Sequence, residues 1–401
     1  MATALLLSMS SFAQQALFDN VPVVSPEVNA NHTVTFRLKA PNAQKVQITG
    51  DFLPTKQIDT PVGKYDAPGV ADLVKDDKGV WSFTSTNLSP ELYSYNLILD
   101  GVKIVDPGSV YITRDITSET NIFILSDKKG DCGDLYTVNE VPHGNVQKVW
   151  YDSPTLKMQR RMTVYTPAGY DKGKDYPVLY LLHGAGGDED AWTTLGRASQ
   201  ILDNLIATGK AKPMVVVMTN GNPNCQAAPG EWSAGMYVPS FYGYQGAKAV
   251  ATMDESFPDV MNYVESHYKV GKDKAYRAIC GLSMGGGHSF DISRRFPNKF
   301  DYVGLFSAGL HVGKTGDFRS DFYKMLQEDE EAKQQLATLF KNKPKLYWIG
   351  MGKTDFLYKS TAGLRRYFDE KGYKYTYMET EGGHIWRNWR VYLTEFAQKI
   401  F

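Results

Sequence analysis

A chain of 401 residues has room for two domains and a sizeable core. Its 44 basic residues balance 44 acidic ones, which excludes a net field that would draw in nucleic acid or an anionic membrane. Aromatics reach 13%, with 25 Tyr and 7 Trp; much of that is core, and the remainder suits sugar rings and phenolic groups.

From the N-terminus, Ala4 to Met9 is an apolar run followed by Ser-Ser-Phe-Ala-Gln-Gln, where Ala13 closes a small-x-Ala cleavage pattern. Residues 1–14 therefore read as a signal peptide with a truncated start, since no Lys or Arg precedes the run; an ordinary N-terminus is the alternative. A signal peptide predicts a secreted or periplasmic protein. No later stretch approaches the ~18 apolar residues of a membrane span.

Residues 20–126 read as short strands between turn residues. Thr33–Lys39 alternates, Val46–Gly50 follows, then Trp81–Thr84 and Leu92–Leu99, with Asp100-Gly101 as a hairpin turn into Val102–Val105. That spacing predicts a small β-sandwich. Val34-Thr-Phe-Arg-Leu-Lys-Ala-Pro-Asn-Ala, Val46 to Asp51, Tyr95-Asn-Leu-Ile-Leu-Asp-Gly and Asp106-Pro107 carry a further signal. Through them the segment resembles the immunoglobulin-like modules of carbohydrate-binding family 48, which implies a place in front of a glycan-processing domain. A purely structural spacer is the alternative reading. Residues 127–143 read as a linker or interdomain crossing.

From 144 to 401 strands alternate with helices. Strands are predicted at Arg161–Thr166, Pro177–Leu182, Pro213–Thr219, Tyr276–Gly281, Tyr302–Ser307, Lys345–Gly350 and Lys374–Glu379, several as continuous apolar runs. Helices are predicted at Thr194–Thr208, Phe257–His267, Gly285–Phe296 and Thr361–Lys371. The pattern is a doubly wound, mostly parallel α/β sheet. Of three cysteines, Cys280 falls in an apolar strand, while Cys132 and Cys225 fall in loops and could pair in an oxidising compartment. No His or Cys cluster has ligand spacing, so no metal is expected.

The chemistry centres on Gly281-Leu282-Ser283-Met284-Gly285. A strand before it and a helix after it make the pattern a nucleophile elbow of the α/β-hydrolase type, with Ser283 as nucleophile. Serine needs a base, which in this chain order lies downstream. His288 sits on the elbow helix facing away, and His311 lies at the site edge. His384 follows the last strand on a Gly-rich loop and is the expected base. Asp355, after Lys345–Gly350, is the expected orienting acid; Asp317 and Asp321 compete but read as a solvated insertion. The oxyanion hole would take the N–H of Met284 and, from Leu181-Leu-His183-Gly184-Ala185-Gly186-Gly187, that of Ala185, with Gly184 next. His183 reads as structural.

Tyr180-Leu-Leu-His-Gly-Ala-Gly-Gly, Val264-Glu-Ser-His-Tyr, the elbow with Gly286, Gly352-Lys-Thr-Asp and Gly382-Gly-His-Ile-Trp-Arg-Asn-Trp-Arg together resemble the family-one carbohydrate esterases. These include feruloyl and acetylxylan esterases. The resemblance implies a Ser283–His384–Asp355 triad, an acyl-enzyme, no cofactor, and feruloylated plant polysaccharide or oligosaccharide as partner. The preceding sandwich favours feruloyl over acetyl release. Ile385 departs from the acidic or polar residue that often follows the histidine. Trp232, Tyr237, Phe356 and Trp386 are rim candidates for a ferulate ring, each with core packing as the alternative; Gln226 and Glu231 are candidates for sugar hydroxyls. Siderophore esterases share the fold, but the neutral charge balance gives that reading little support. A glycan-binding protein without catalysis is the non-enzyme reading, against which the complete Ser, Asp and His set argues.

Overall fold

The computed structural model describes residues 23–60, 63–239, 249–313 and 321–401. The signal-like segment 1–14 and Asp317 lie outside the described residues.

The N-terminal region is the expected sandwich. One sheet runs Glu27–Val28, Val34–Lys39, Val80–Thr84, Val74–Lys75; the other runs Ile112–Asp115, Ser118–Leu125, Glu91–Leu99, Val46–Gly50, Gly69–Asp72. Alternation turns Val34, Phe36, Ile48, Tyr95, Leu97 and Phe123 into the space between them. Val102 pairs with Leu99 across the predicted turn. Asp100 and Gly101 both take positive φ there (48° and 89°), which a two-residue hairpin of this hand requires.

The C-terminal sheet has eight strands in the order Asn145–Ser153, Met158–Thr166, Val215–Thr219, Val178–Leu182, Arg277–Leu282, Tyr302–Phe306, Leu346–Gly352, Thr376–Thr380. The last six are mutually parallel, and the first two pair antiparallel. Its central strands are buried on both faces because each face has its own core. Val178, Tyr180 and Leu182 meet Phe257 of Met253–His267 and Phe290 of Met284–Arg295 on one side. Leu179 and Leu181 meet Ile201 of Ala198–Ala207 and Phe396 of Trp386–Ala397 on the other. This is an α/β-hydrolase sheet preceded by an all-β sandwich.

Two segments depart from the sequence reading. Asn145–Ser153 is an edge strand, mostly exposed and so without an apolar signature. Asp321 is no solvated insertion: its side chain caps the helix Phe322–Glu328 by accepting from Tyr323 N. The helix Glu330–Lys341 follows, capped by Asp329. Residues 127–143 pack against both regions. They include the short helix Cys132–Tyr136, whose Tyr136 is buried with Leu92 and Ile122 of the sandwich and Trp192 of the helix Ala191–Thr194. Cys132 and Cys225 are both free, and Cys280 is buried in its strand.

The two regions are also tied by polar contacts. Arg390 reaches Glu91 at 3.3 Å and Arg114 reaches Asp188 at 2.7 Å. Arg197 donates to the Tyr111 hydroxyl at 2.7 Å. Among the described residues no helix is long and apolar enough to cross a membrane.

Candidate active site

The strand Arg277–Leu282 ends at Ser283, and the helix Met284–Arg295 begins at the next residue. Ser283 takes φ 52° and ψ −116°, a conformation that a side chain adopts only under strain of about 1–3 kcal/mol. Ser283 N–H donates to Phe306 O at 2.9 Å, and Ser283 O accepts from Gly309 and Gly287. Glycine is required on both flanks: a Cβ on Gly281 would stand 2.6 Å from Gly285 backbone, and one on Gly285 would stand 2.5 Å from the carbonyls of Leu182 and His183. The hydroxyl is thereby fixed at the carboxyl edge of the sheet.

Met284 is the first residue of that helix, so its N–H has no intrahelical acceptor and lies at the positive end of the dipole. The loop carrying Ala185 approaches the nucleophile closely: a Cβ on Gly184 would lie 3.2 Å from Ser283 Cβ. Gly187 N–H closes a turn on Gly184 O, with Gly186 at φ 83°. His183 braces this loop. Its Nδ1–H donates to Gly184 O and its Nε2 accepts from Gly221 N–H, both at 2.7 Å. Burial lowers the His183 pKa, which keeps the ring in the neutral form those two bonds require.

Asp355 and His384 leave adjacent parallel strands, Leu346–Gly352 and Thr376–Thr380, at the same carboxyl edge. His384 Nδ1 lies 2.9 and 3.1 Å from the two Asp355 oxygens. A carboxylate only accepts, so the neutral ring carries its proton on Nδ1 and leaves Nε2 as the basic atom. The Asp355 side chain is fully buried and also accepts from Leu357 N–H at 2.9 Å. The His384 loop is pinned by Thr354 N–H on Gly382 O and by the Asn388 amide on Gly383 O. Gly352 allows this closeness, since a Cβ there would meet Gly382 O at 2.4 Å.

The competing histidines stand elsewhere. His288 packs behind the elbow beside Gly221, its Nδ1 buried without a partner among the described residues, and burial lowers its pKa to about 4. His311 is half-exposed with Asp291 4.0 Å away.

The rim candidates divide. Phe356 is 37% exposed with its ring 4.5 Å from that of His384. Trp386 is half-buried and edge-to-face with Trp192 and Trp389. Trp232 is half-buried beside Gly235, and Tyr237 is 93% exposed. Glu231 and Gln226, candidates for sugar hydroxyls, are engaged internally. Glu231 pairs with Arg161 at 2.7 Å, and the Gln226 amide donates to Gln159 O at 3.1 Å. For Glu231 the reason is Arg161, which is buried and also holds Glu189 at 2.7 Å and Asp190 at 2.9 Å.

The sequence reading missed Arg387 and Arg390 as a clamp on the His384 segment. Both sit on the helix Trp386–Ala397 and face Glu91 of the sandwich, at 3.9 and 3.3 Å. The arginines stand in the quoted Trp-Arg-Asn-Trp-Arg run, but no local pattern points to a partner 299 residues away. Among the described residues no group of three His, Cys, Asp or Glu is placed to hold a metal ion.

Residues 153–400 match the Esterase family model. An endo-1,4-beta-xylanase/feruloyl esterase of Xylanibacter ruminicola is 31% identical over 387 residues, covering 94% of this chain and 46% of that protein. The chain thus spans about half the length of that relative. A solved ferulic acid esterase is 25% identical, covering 66% of this chain and all of that one, at TM-score 0.51. The enterobactin esterase of Shigella flexneri shares the fold over 91% of this chain and 92% of its own, at TM-score 0.58 and 14% identity.

Proposed function

The chain belongs to the Esterase family and is a carboxylic ester hydrolase, and from that premise we propose that it releases ferulate from feruloylated arabinoxylan through a covalent acyl-enzyme. The observation that carries the mechanism is the His384–Asp355 pair, with Nδ1 bonded and Nε2 basic, at the sheet edge where Ser283 is held on its strained turn.

Ser283 Oγ attacks the ester carbonyl while His384 Nε2 takes its proton. Asp355 holds the ring and stabilises the imidazolium. The tetrahedral oxyanion lies against the N–H groups of Met284 and Ala185. Its collapse breaks the bond to the sugar oxygen, which leaves as an alcohol with the proton from Nε2. Water, deprotonated by the same nitrogen, then attacks the acyl-serine and frees ferulate and Ser283. The exposed ring of Phe356 beside His384 suits an aromatic acyl group. The xylanase/feruloyl esterase name of the Xylanibacter relative and the family-48-like sandwich support a plant cell-wall substrate, met after export.

Methyl ferulate, acetylated xylan and enterobactin assayed side by side test the reading. Ferulate release well above acetate release is expected. No ferulate release overturns it.

A further inference from the structure

Trp150 is the one tryptophan more than a third exposed among the described residues, at 44%. It lies on the edge strand Asn145–Ser153, four strands from the one that carries Ser283. At ~4.8 Å per strand that is roughly 19 Å from the ester-cleaving edge, several sugar units along a polymer.

The indole lines a cleft of about 370 Å³ between that strand and the helix Met253–His267, together with Asp152, Gln159, Asn262, Tyr263 and His267. The His267 ring is stacked on Tyr263, with centroids 3.9 Å apart. The carboxamides of Gln159 and Asn262 have no hydrogen-bond partner among the described residues and are exposed. No Lys or Arg lines the cleft, so it lacks the guanidinium or ammonium that favours a phosphate or carboxylate ligand.

An aromatic face flanked by uncommitted carboxamides and a carboxylate is the chemistry that holds a pyranose. The ring's C–H face lies on the indole, and the amides give and accept hydrogen bonds with adjacent hydroxyls. The sandwich offers no such place among its described residues. Trp81 is buried with its N–H on Ala40 O, and the exposed ring of Tyr111 has its hydroxyl on Arg197.

We propose that the Trp150 cleft is a second glycan-binding site, which takes a neutral pyranose chain and holds the polymer while Ser283 acts on its ester. It rests on the proposed polysaccharide substrate.

The test measures binding of xylo-oligosaccharides and arabinoxylan by calorimetry, using the full chain as Ser283→Ala alone and combined with Trp150→Ala or Asn262→Ala. Methyl ferulate turnover is followed in the same two variants with Ser283 intact. The loss of one aromatic contact predicts affinity lower by about tenfold in the Trp150 variant, with methyl ferulate turnover unchanged. Asn262→Ala, a surface truncation on a helix, should weaken binding in the same direction without disturbing the fold. Binding equal to that of Ser283→Ala in both variants overturns the site. So does a Trp150-dependent self-association with glycan binding unchanged, which would make the edge strand a protein contact. If the chain binds oligosaccharide through Trp150 yet cleaves no feruloyl ester, the site stands and the substrate reading falls.

Discussion

Removing Arg390 tests how firmly the sandwich holds the His384 segment. Its guanidinium meets Glu91 at 3.3 Å and the carbonyls of Leu92 and Leu195 at 3.2 and 3.1 Å, over the ring of Tyr136. The side chains are 3% and 9% exposed, so solvent screens the pair little. Arg390→Met leaves a buried carboxylate with Arg387, 3.9 Å away, as its cation and Leu92 N–H as its donor, and strips two carbonyls of the guanidinium. Breaking a buried pair costs about 3–5 kcal/mol, and the surviving cation places the expected loss near 3 kcal/mol. Glu91→Leu should cost a similar amount, since it strands the arginine and removes the acceptor for Leu92 N–H. The double variant replaces both charges with apolar groups and should cost less than the sum, with a coupling of about 1.5 kcal/mol or more. Denaturant midpoints and slopes of the four proteins give the cycle. Additivity within about 0.5 kcal/mol would refute the clamp.

Three further outcomes follow from the same geometry. Asp355→Asn should lower kcat about 10⁴-fold with KM little changed, as for the equivalent replacement in serine proteases, because Nδ1 loses its acceptor; a loss under about tenfold would contradict the role given to Asp355. Burial holds His288 at about 4 against an ordinary 6.5, so the folded chain keeps it neutral while the unfolded chain takes a proton. That share of stability is complete above pH 6.5 and falls by up to about 3 kcal/mol as pH drops toward 4; His288→Gln should flatten the slope in urea melts, and parallel slopes would contradict it. Phe356→Ala should lower kcat/KM for methyl ferulate about tenfold relative to a 4-nitrophenyl acetate control, whereas an unchanged ratio would remove Phe356 from the acyl pocket.

What was readable in the chain was local. The elbow shows because its five-residue pattern stands between a strand and a helix, although Gly285 also answers to the distant carbonyls of Leu182 and His183; the central strands show because burial on both faces makes them continuous apolar runs. Asp355 and His384 follow from chain order and strand ends. The edge strand Asn145–Ser153 was missed because it is mostly exposed, and Glu330–Lys341 was overlooked although Asp329 and an acidic first turn announce it. Glu231 looked available for sugar because the buried Arg161 that claims it sits 70 residues earlier (231 − 161). The Glu91–Arg390 clamp joins a sandwich strand to the last helix, 299 residues apart, and no periodicity encodes such a pairing.

The most direct test of the central claim is covalent. The chain is treated with a fluorophosphonate probe, the modified peptide is identified by mass spectrometry, and ferulate release is followed in parallel. One modified residue, Ser283, is expected, with ferulate release abolished by the label and by Ser283→Ala. A Ser283→Ala protein that still takes the label, or still cleaves methyl ferulate at the parent rate, would contradict it.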